Sequence, residues 1–357
     1  MKLWVRLAAM AGAVTCLALT IVNASWLAET PRGIPLLIAQ RGIAQVQERA
    51  GASTGDCTAA QIGEPYHGLI DNTVASARRA IELGAHMIAV DVARTGDGEL
   101  VLFADPRLDC RTDGSGPVAG KSLAQLKALD IGHGYTADGG RSFPLRGQGV
   151  GKMPTLRELA AALPGRARVL YHLPGSDGTA GEARSGAEAE LLAARLAAAG
   201  RDPVAERDAF LGPAPAIARI RQLYPGAWAW TREEAWQCTN DYRLTGWTGI
   251  LPAGCKGQTM LVPLDSQWTM WGWPNRLIQR MEEHGGRIVV VESYNADAPL
   301  RGLILPEQLG DIPRSFNGFI LVEDSFTVIP ARVPRFDNRR PQEVEAAQAA
   351  LERRRNK

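Results

Sequence analysis

Arg41, Asp91, Asp105 and His172 each stand near the carboxyl end of a strand-like apolar run: LLIAQ (36 to 40), HMIAVDV (86 to 92), LVLF (100 to 103) and VLYHL (169 to 173). A guanidinium forks onto phosphate or carboxylate oxygens, carboxylates hold hard cations, and an imidazole moves a proton near neutral pH or ligates a softer metal. Each also has a plainer role. Arg41 can form an ordinary ion pair with Asp91 or Asp105, Asp105 can shape the turn before Pro106, and His172 can be a hydrogen-bonded core residue. Glu292, Glu323 and Asp324 end later runs and would add acid to the same centre if the fold gathered them. His86 opens its run, which places it at the far end, and it reads as structural.

Residues at strand ends work together only if the strands lie side by side. Five further apolar runs, DAFL (208 to 211), AWAW (227 to 230), MLVPL (260 to 264), IVVVE (288 to 292) and GFILV (318 to 322), join LLIAQ, HMIAVDV and VLYHL to make eight. Helical segments alternate with them, which signals an α/β fold with parallel strands. Asp71, Asn72 and Thr73 open one helix, which stops at Gly84, and capping boxes pair Ser122 with Gln125, Thr155 with Glu158 and Ser185 with Glu188. LVLF follows HMIAVDV through Thr95-Gly96-Asp97-Gly98, too short a link for a crossover helix, so it reads as an antiparallel hairpin arm. The expected fold is a (β/α)8 barrel over residues 34 to 332, whose chemistry sits at the carboxyl ends of the strands.

The stretches AQRG, IDNT, IAVDVARTGDGELVLFADP and KMPTLREL, and more faintly GFILVED, resemble in order and spacing the glycerophosphodiester phosphodiesterase family. That family carries His-Arg-Gly, Glu-Asn-Thr, Glu-x-Asp, a Thr-x-Asp-Gly hairpin, His-Asp and Pro-Thr-Leu. The resemblance implies two histidines as general acid and base, and carboxylates of Glu-x-Asp and a later Glu-x-Lys around a divalent cation. Here Gln40 and Ala104 stand at the histidine positions, Ala89 replaces the first Glu, and His172-Leu173-Pro174 replaces Glu-x-Lys. Arg41, Asp91 and Asp105 remain, with Arg41 and Asp105 implied to face substrate.

Those departures fall on the reaction itself. Glutamine cannot exchange a proton near neutral pH, alanine has nothing to exchange, and each lost proton partner typically costs about 10² to 10⁴ in rate. Asp91 beside Ala89 is at most a weak site for calcium, magnesium or zinc, and no cofactor is otherwise implied. Two readings follow. One is a pseudoenzyme that binds an anionic phosphodiester, lipid headgroup, glycan or partner protein; the other is a working metal-dependent phosphodiesterase rebuilt around Asp91, His172, Asp105 and Arg41.

The remaining features concern location. Residues 1 to 28 carry Lys2 and Arg6 before an apolar run from Leu7 to Val22, with small residues near Ala24, and so read as a cleaved export signal or a retained inner-membrane anchor. Cys16 lies in that run without a lipobox. The body is expected outside the cytoplasm, in the periplasm, where Cys57 with Cys110 and Cys238 with Cys255 would pair. Residues 228 to 273 hold seven of nine tryptophans and read as an insertion filled by bulky rings, or as a surface for glycan or membrane. The charged tail, 336 to 357, reads as a helix or frayed end. A net charge of +2 offers nothing global to nucleic acid.

Overall fold

Every one of the eight runs forms a strand in the computed structural model, which describes residues 3–47, 57–165, 167–173, 179–295 and 299–356. In chain order the elements are α1 (Leu3–Asn23), β1 (Leu36–Gln40), α2 (Val74–Glu82), β2 (Met87–Arg94), β3 (Leu100–Leu102), α3 (Leu123–Lys127), α4 (Leu156–Ala162), β4 (Arg168–His172), α5 (Thr179–Ala198), β5 (Ala209–Leu211), α6 (Ala214–Leu223), β6 (Trp228–Trp230), α7 (Arg232–Thr245), β7 (Thr259–Pro263), α8 (Asn275–Glu283), β8 (Arg287–Val291), β9 (Phe319–Val322), α9 (Ser325–Arg332) and α10 (Pro341–Arg355). Eight parallel strands build a nearly closed barrel, and β3 lies antiparallel on β2 as the hairpin arm. Parallel strands are covered on both faces, so they read as unbroken apolar runs rather than alternating ones. β2 accordingly buries seven of its eight residues and β7 all five.

The chain divides into two compact units. The first, residues 37–231, 302–309 and 321–357, contains the ladder β6-β5-β4-β2-β1 and the hairpin arm. Thr73 caps α2 in a reciprocal box with Ser76, and Gly84 ends the following turn at φ +106, where a Cβ would lie 2.4 Å from Val333 Cγ2. The boxes at Ser122 and Thr155 form as expected. The one at Ser185 does not start a helix, because α5 already begins at Thr179 and carries Ser185 and Glu188 in its interior. His86 is structural: its Nδ1 accepts from the Leu37 N–H at 3.1 Å. A satellite core that includes Phe103, Leu108, Leu126 and Met153 supports the arm, and Cys57 and Cys110 pack against it. The tail is not frayed. α10 buries Ala347, Ala350 and Leu351, and Arg354 reaches Asp324 at 2.5 Å.

The second unit, residues 1–36, 232–301 and 310–320, holds α1, α7, α8 and the ladder of β7, β8 and the first half of β9. The tryptophan-rich stretch is mostly regular structure, with Trp228 and Trp230 on β6, Trp236 on α7, and short 3-10 turns bearing Trp247 and Trp268. Both cysteine pairs are bonded, with Cα separations of 5.2 Å for Cys57–Cys110 and 4.9 Å for Cys238–Cys255. Cys16 is the free thiol. Under denaturing, non-reducing conditions the intact chain should therefore titrate a single thiol. The double change Cys57→Ser and Cys110→Ser should cost about 2 to 5 kcal/mol in denaturant unfolding.

Candidate functional site

Parallel register brings the expected site residues to one end of the first unit. Gln40 on β1 is the partner of Ala89 on β2, and Asp91 is the partner of His172 on β4. The hairpin arm returns to the same strand end, since the Phe103 N–H donates to the Asp91 carbonyl at 3.0 Å, and Ala104 and Asp105 follow directly. Pro174 falls outside the described residues.

Asp91 is the hub. One carboxylate oxygen accepts from Arg41 Nε at 2.7 Å and from Asn72 Nδ2 at 2.9 Å, while the other lies 2.7 Å from His172 Nδ1. The Asp91 backbone N–H also donates to Asn72 Oδ1 at 3.0 Å. Burial alone would raise the carboxyl, but Arg41, His172 and Asn72 together outweigh it and hold Asp91 well below the usual carboxylate range. Arg41 and Asn72 both adopt left-handed backbone, at φ 58 and φ 56, and the Asn72 N–H donates to the Arg41 carbonyl at 3.0 Å. Two non-glycine residues in that region cost free energy unless the surroundings fix them, and such strain gathers at functional sites. Here it aims both side chains at one carboxylate.

A second charged cluster lies beside it. Arg111 is buried, donates to both oxygens of Asp71 at 2.9 and 3.0 Å, to Asp105 at 2.9 Å and to Thr58 at 2.6 Å, and contacts Tyr135. Asp105 is thus held by Arg111, and Arg41 is held by Asp91. Reading the sequence missed Asn72, Asp71, Arg111 and Tyr135 as site residues. The first two were visible only as helix openers, and nothing local marks Arg111, whose carboxylate partner is forty positions away. Asp324 is not a site acid: it is fully buried, caps α9 through the Thr327 N–H and pairs with Arg354.

A hard dication does not fit this donor set. Its ligands are several oxygens with lone pairs to give, usually including more than one carboxylate. Asp91 spends its oxygens on Arg41, Asn72 and His172, Asp71 and Asp105 share a guanidinium, and Ala89 supplies nothing. Among the described residues no group of three His, Cys, Asp or Glu side chains is placed to hold a metal.

The family model for the glycerophosphoryl diester phosphodiesterase family matches residues 60–210. Among solved structures, the glycerophosphoryl diester phosphodiesterase domain of a Mycobacterium tuberculosis protein superposes at TM-score 0.56 with 18% identity, covering 85% of this chain and 99% of that one. A glycerophosphodiester phosphodiesterase from Parabacteroides distasonis gives 0.52 with 15% identity, covering 85% and 99%. The chain carries a glycerophosphodiester phosphodiesterase-like barrel. In sequence, a glycerophosphodiester phosphodiesterase from Caldanaerobacter subterraneus is 45% identical over 62 residues, which is 17% of this chain and 26% of that protein. The chain thus spans only about a quarter of that relative's length.

Within this glycerophosphodiester phosphodiesterase-like barrel, the Asp91 hub predicts a stability signature. The folded carboxyl lies below its unfolded value, so its contribution is complete above about pH 5 and is lost as pH falls further. Asp91→Asn should remove that acid limb from a series of denaturant unfolding curves. At neutral pH it should also destabilise by about 1 to 3 kcal/mol, because Arg41 is left without its charged acceptor.

Proposed function

We propose that this protein is a glycerophosphodiester phosphodiesterase-like envelope protein that binds an anionic phosphodiester, such as a lipid headgroup, without efficiently cleaving it. The observation that carries the reading is the saturation of Asp91 by Arg41, Asn72 and His172. A carboxylate used in this way orients a guanidinium; it does not hold a cation. Nε is one of five N–H donors on Arg41, and the ion pair fixes the direction of the fork that carries the others. Gln40 and Ala104 supply no proton near neutral pH, so a bound diester meets charge complementarity without an acid for the leaving group. The apolar N-terminal helix and the two disulfides support an exported site of action.

One observation favours the rival. His172 is 46% exposed along its side chain and its Nδ1 lies 2.7 Å from Asp91, the arrangement in which a carboxylate orients an imidazole as a general base. On that reading His172 would take the proton from an attacking hydroxyl or water, and Arg41 would meet the developing phosphate charge.

The experiment is a phosphodiesterase assay on the purified protein with glycerophosphodiesters and added calcium, magnesium, manganese or zinc. No turnover above background is expected, and Gln40→His alone should restore none, because catalytic groups that act as a unit are not additive. The combination Gln40→His, Ala104→His, Ala89→Glu and His172→Glu is the variant expected to gain activity. Metal-dependent turnover by the parent, abolished by His172→Ala, would establish the rival. For binding, Arg41→Ala should weaken glycerophosphodiester affinity in calorimetry by about 1 to 3 kcal/mol, the scale of a charge-assisted contact.

A further inference from the structure

We propose that α1 is a retained membrane helix and that the exposed indoles gathered about its carboxyl end seat the second unit on the bilayer surface. The helix is 21 residues long and, at 1.5 Å per residue, reaches about 32 Å, close to the roughly 30 Å hydrocarbon thickness of a bilayer. None of its described residues is buried, and Leu7, Met10, Val14 and Leu17 stand exposed along it. Lys2 and Arg6 precede or open the apolar run, the flank that stays on the cytoplasmic side.

A cleaved signal leaves its domain, whereas this helix is fastened to one. Arg280, itself buried, donates to the Val22 carbonyl at 2.9 Å, to Asn23 Oδ1 at 3.2 Å and to Tyr242 Oη at 2.6 Å. The guanidinium thereby satisfies a last-turn carbonyl of α1 and complements the negative end of its dipole. Asn23 Nδ2 donates to the Trp247 carbonyl at 2.8 Å, and the Asn275 N–H donates to Ser25 Oγ at 2.9 Å. Ala24, where the small residues suggested a cleavage site, is 2% exposed. A peptidase needs this segment extended and accessible, and the structure holds it folded inward.

Exposed apolar residues lie within a few positions, along the chain, of the residues that make these contacts. Trp26 is 77% and Trp268 82% exposed, and Leu244, Trp247, Ile250 and Trp271 are exposed with them. Trp247 bonds Asn23 through its carbonyl, Trp271 Nε1 donates to the Arg243 carbonyl, and Tyr242 joins Trp271 to Arg280. Scattered exposed rings are ordinary, but this group adjoins the point where a bilayer-length helix ends. That depth is the water–lipid interface, where indole is favoured because its body is apolar and its N–H is not. Continuity with α1 therefore assigns the surface to lipid rather than to glycan.

The test uses the full-length chain. Protein extracted from membranes should have an intact mass that includes residues 3–23. A Trp4→Phe chain reconstituted in phosphatidylethanolamine and phosphatidylglycerol vesicles with brominated acyl chains should lose tryptophan emission. Adding Trp26→Gln, Trp247→Gln and Trp268→Gln should remove most of that loss. These side chains are exposed, so the disulfide count serves as the folding control. Arg280→Ala should open the Ala24 segment to limited proteolysis that the parent resists. A mature chain beginning near Ala24, or quenching unchanged by the three substitutions, would overturn the proposal. Protection of the indoles by soluble oligosaccharide in place of lipid quenching would do so as well and reassign the surface to glycan.

Discussion

A carboxylate held ionised inside protein is the constraint on which the candidate site depends. Burial disfavours the charge on Asp91, so the charge persists only while other groups meet it. They come from separated parts of the chain: Arg41 from the turn after β1, Asn72 from the turn before α2, and His172 from the end of β4. Each supplier is itself fixed by something else. Arg41 and Asn72 are locked to each other in left-handed backbone, while His172 is set opposite Asp91 by strand register. The strained turns and the ion pair are therefore one device, and neither has an evident reason to persist without the other.

That arrangement explains why the substitutions at Gln40, Ala89 and Ala104 need not damage the fold. An acidic centre built for a metal contains carboxylates that repel one another until the ion arrives. Here the carboxylates are each matched from within, Asp91 by Arg41 and both Asp71 and Asp105 by Arg111. A guanidinium differs from a dication in this role, since it is planar, bound permanently to the chain, and unable to activate a water. The charged groups at this end of the first unit are thus matched from within the chain.

How much of this was legible in the sequence follows from the range of each interaction. The strands were readable because burial on both faces writes an unbroken apolar run, and the hairpin was readable because four turn residues cannot span a crossover. Capping boxes at Ser122 and Thr155 were local and correct; the one at Ser185 was local and wrong, because α5 begins six residues earlier and runs through it. Both cysteine pairings were deducible from number and spacing. Asn72 and Arg111 were not, since their roles consist of contacts with residues 19 and 40 positions away, and an asparagine before a helix looks like a cap wherever it points. Of the two readings of the tail, helix or frayed end, the structure forms the helix, whose anchor, the Arg354–Asp324 pair, spans thirty positions.

A contact between distant parts of the chain bears on how the N-terminal helix is understood. Arg280 and Asn23 are 257 positions apart, and no pattern near either residue announces the bond. An apolar N-terminal helix followed by small residues has the grammar of something to be removed, and read alone that grammar is sound. Grammar of this kind describes an extended segment that an enzyme can enter. Against it stand the Val22 carbonyl, which accepts from the buried Arg280, and Ala24, which is 2% exposed. The proposal that this helix is retained rests on these contacts between its last turn and the second unit.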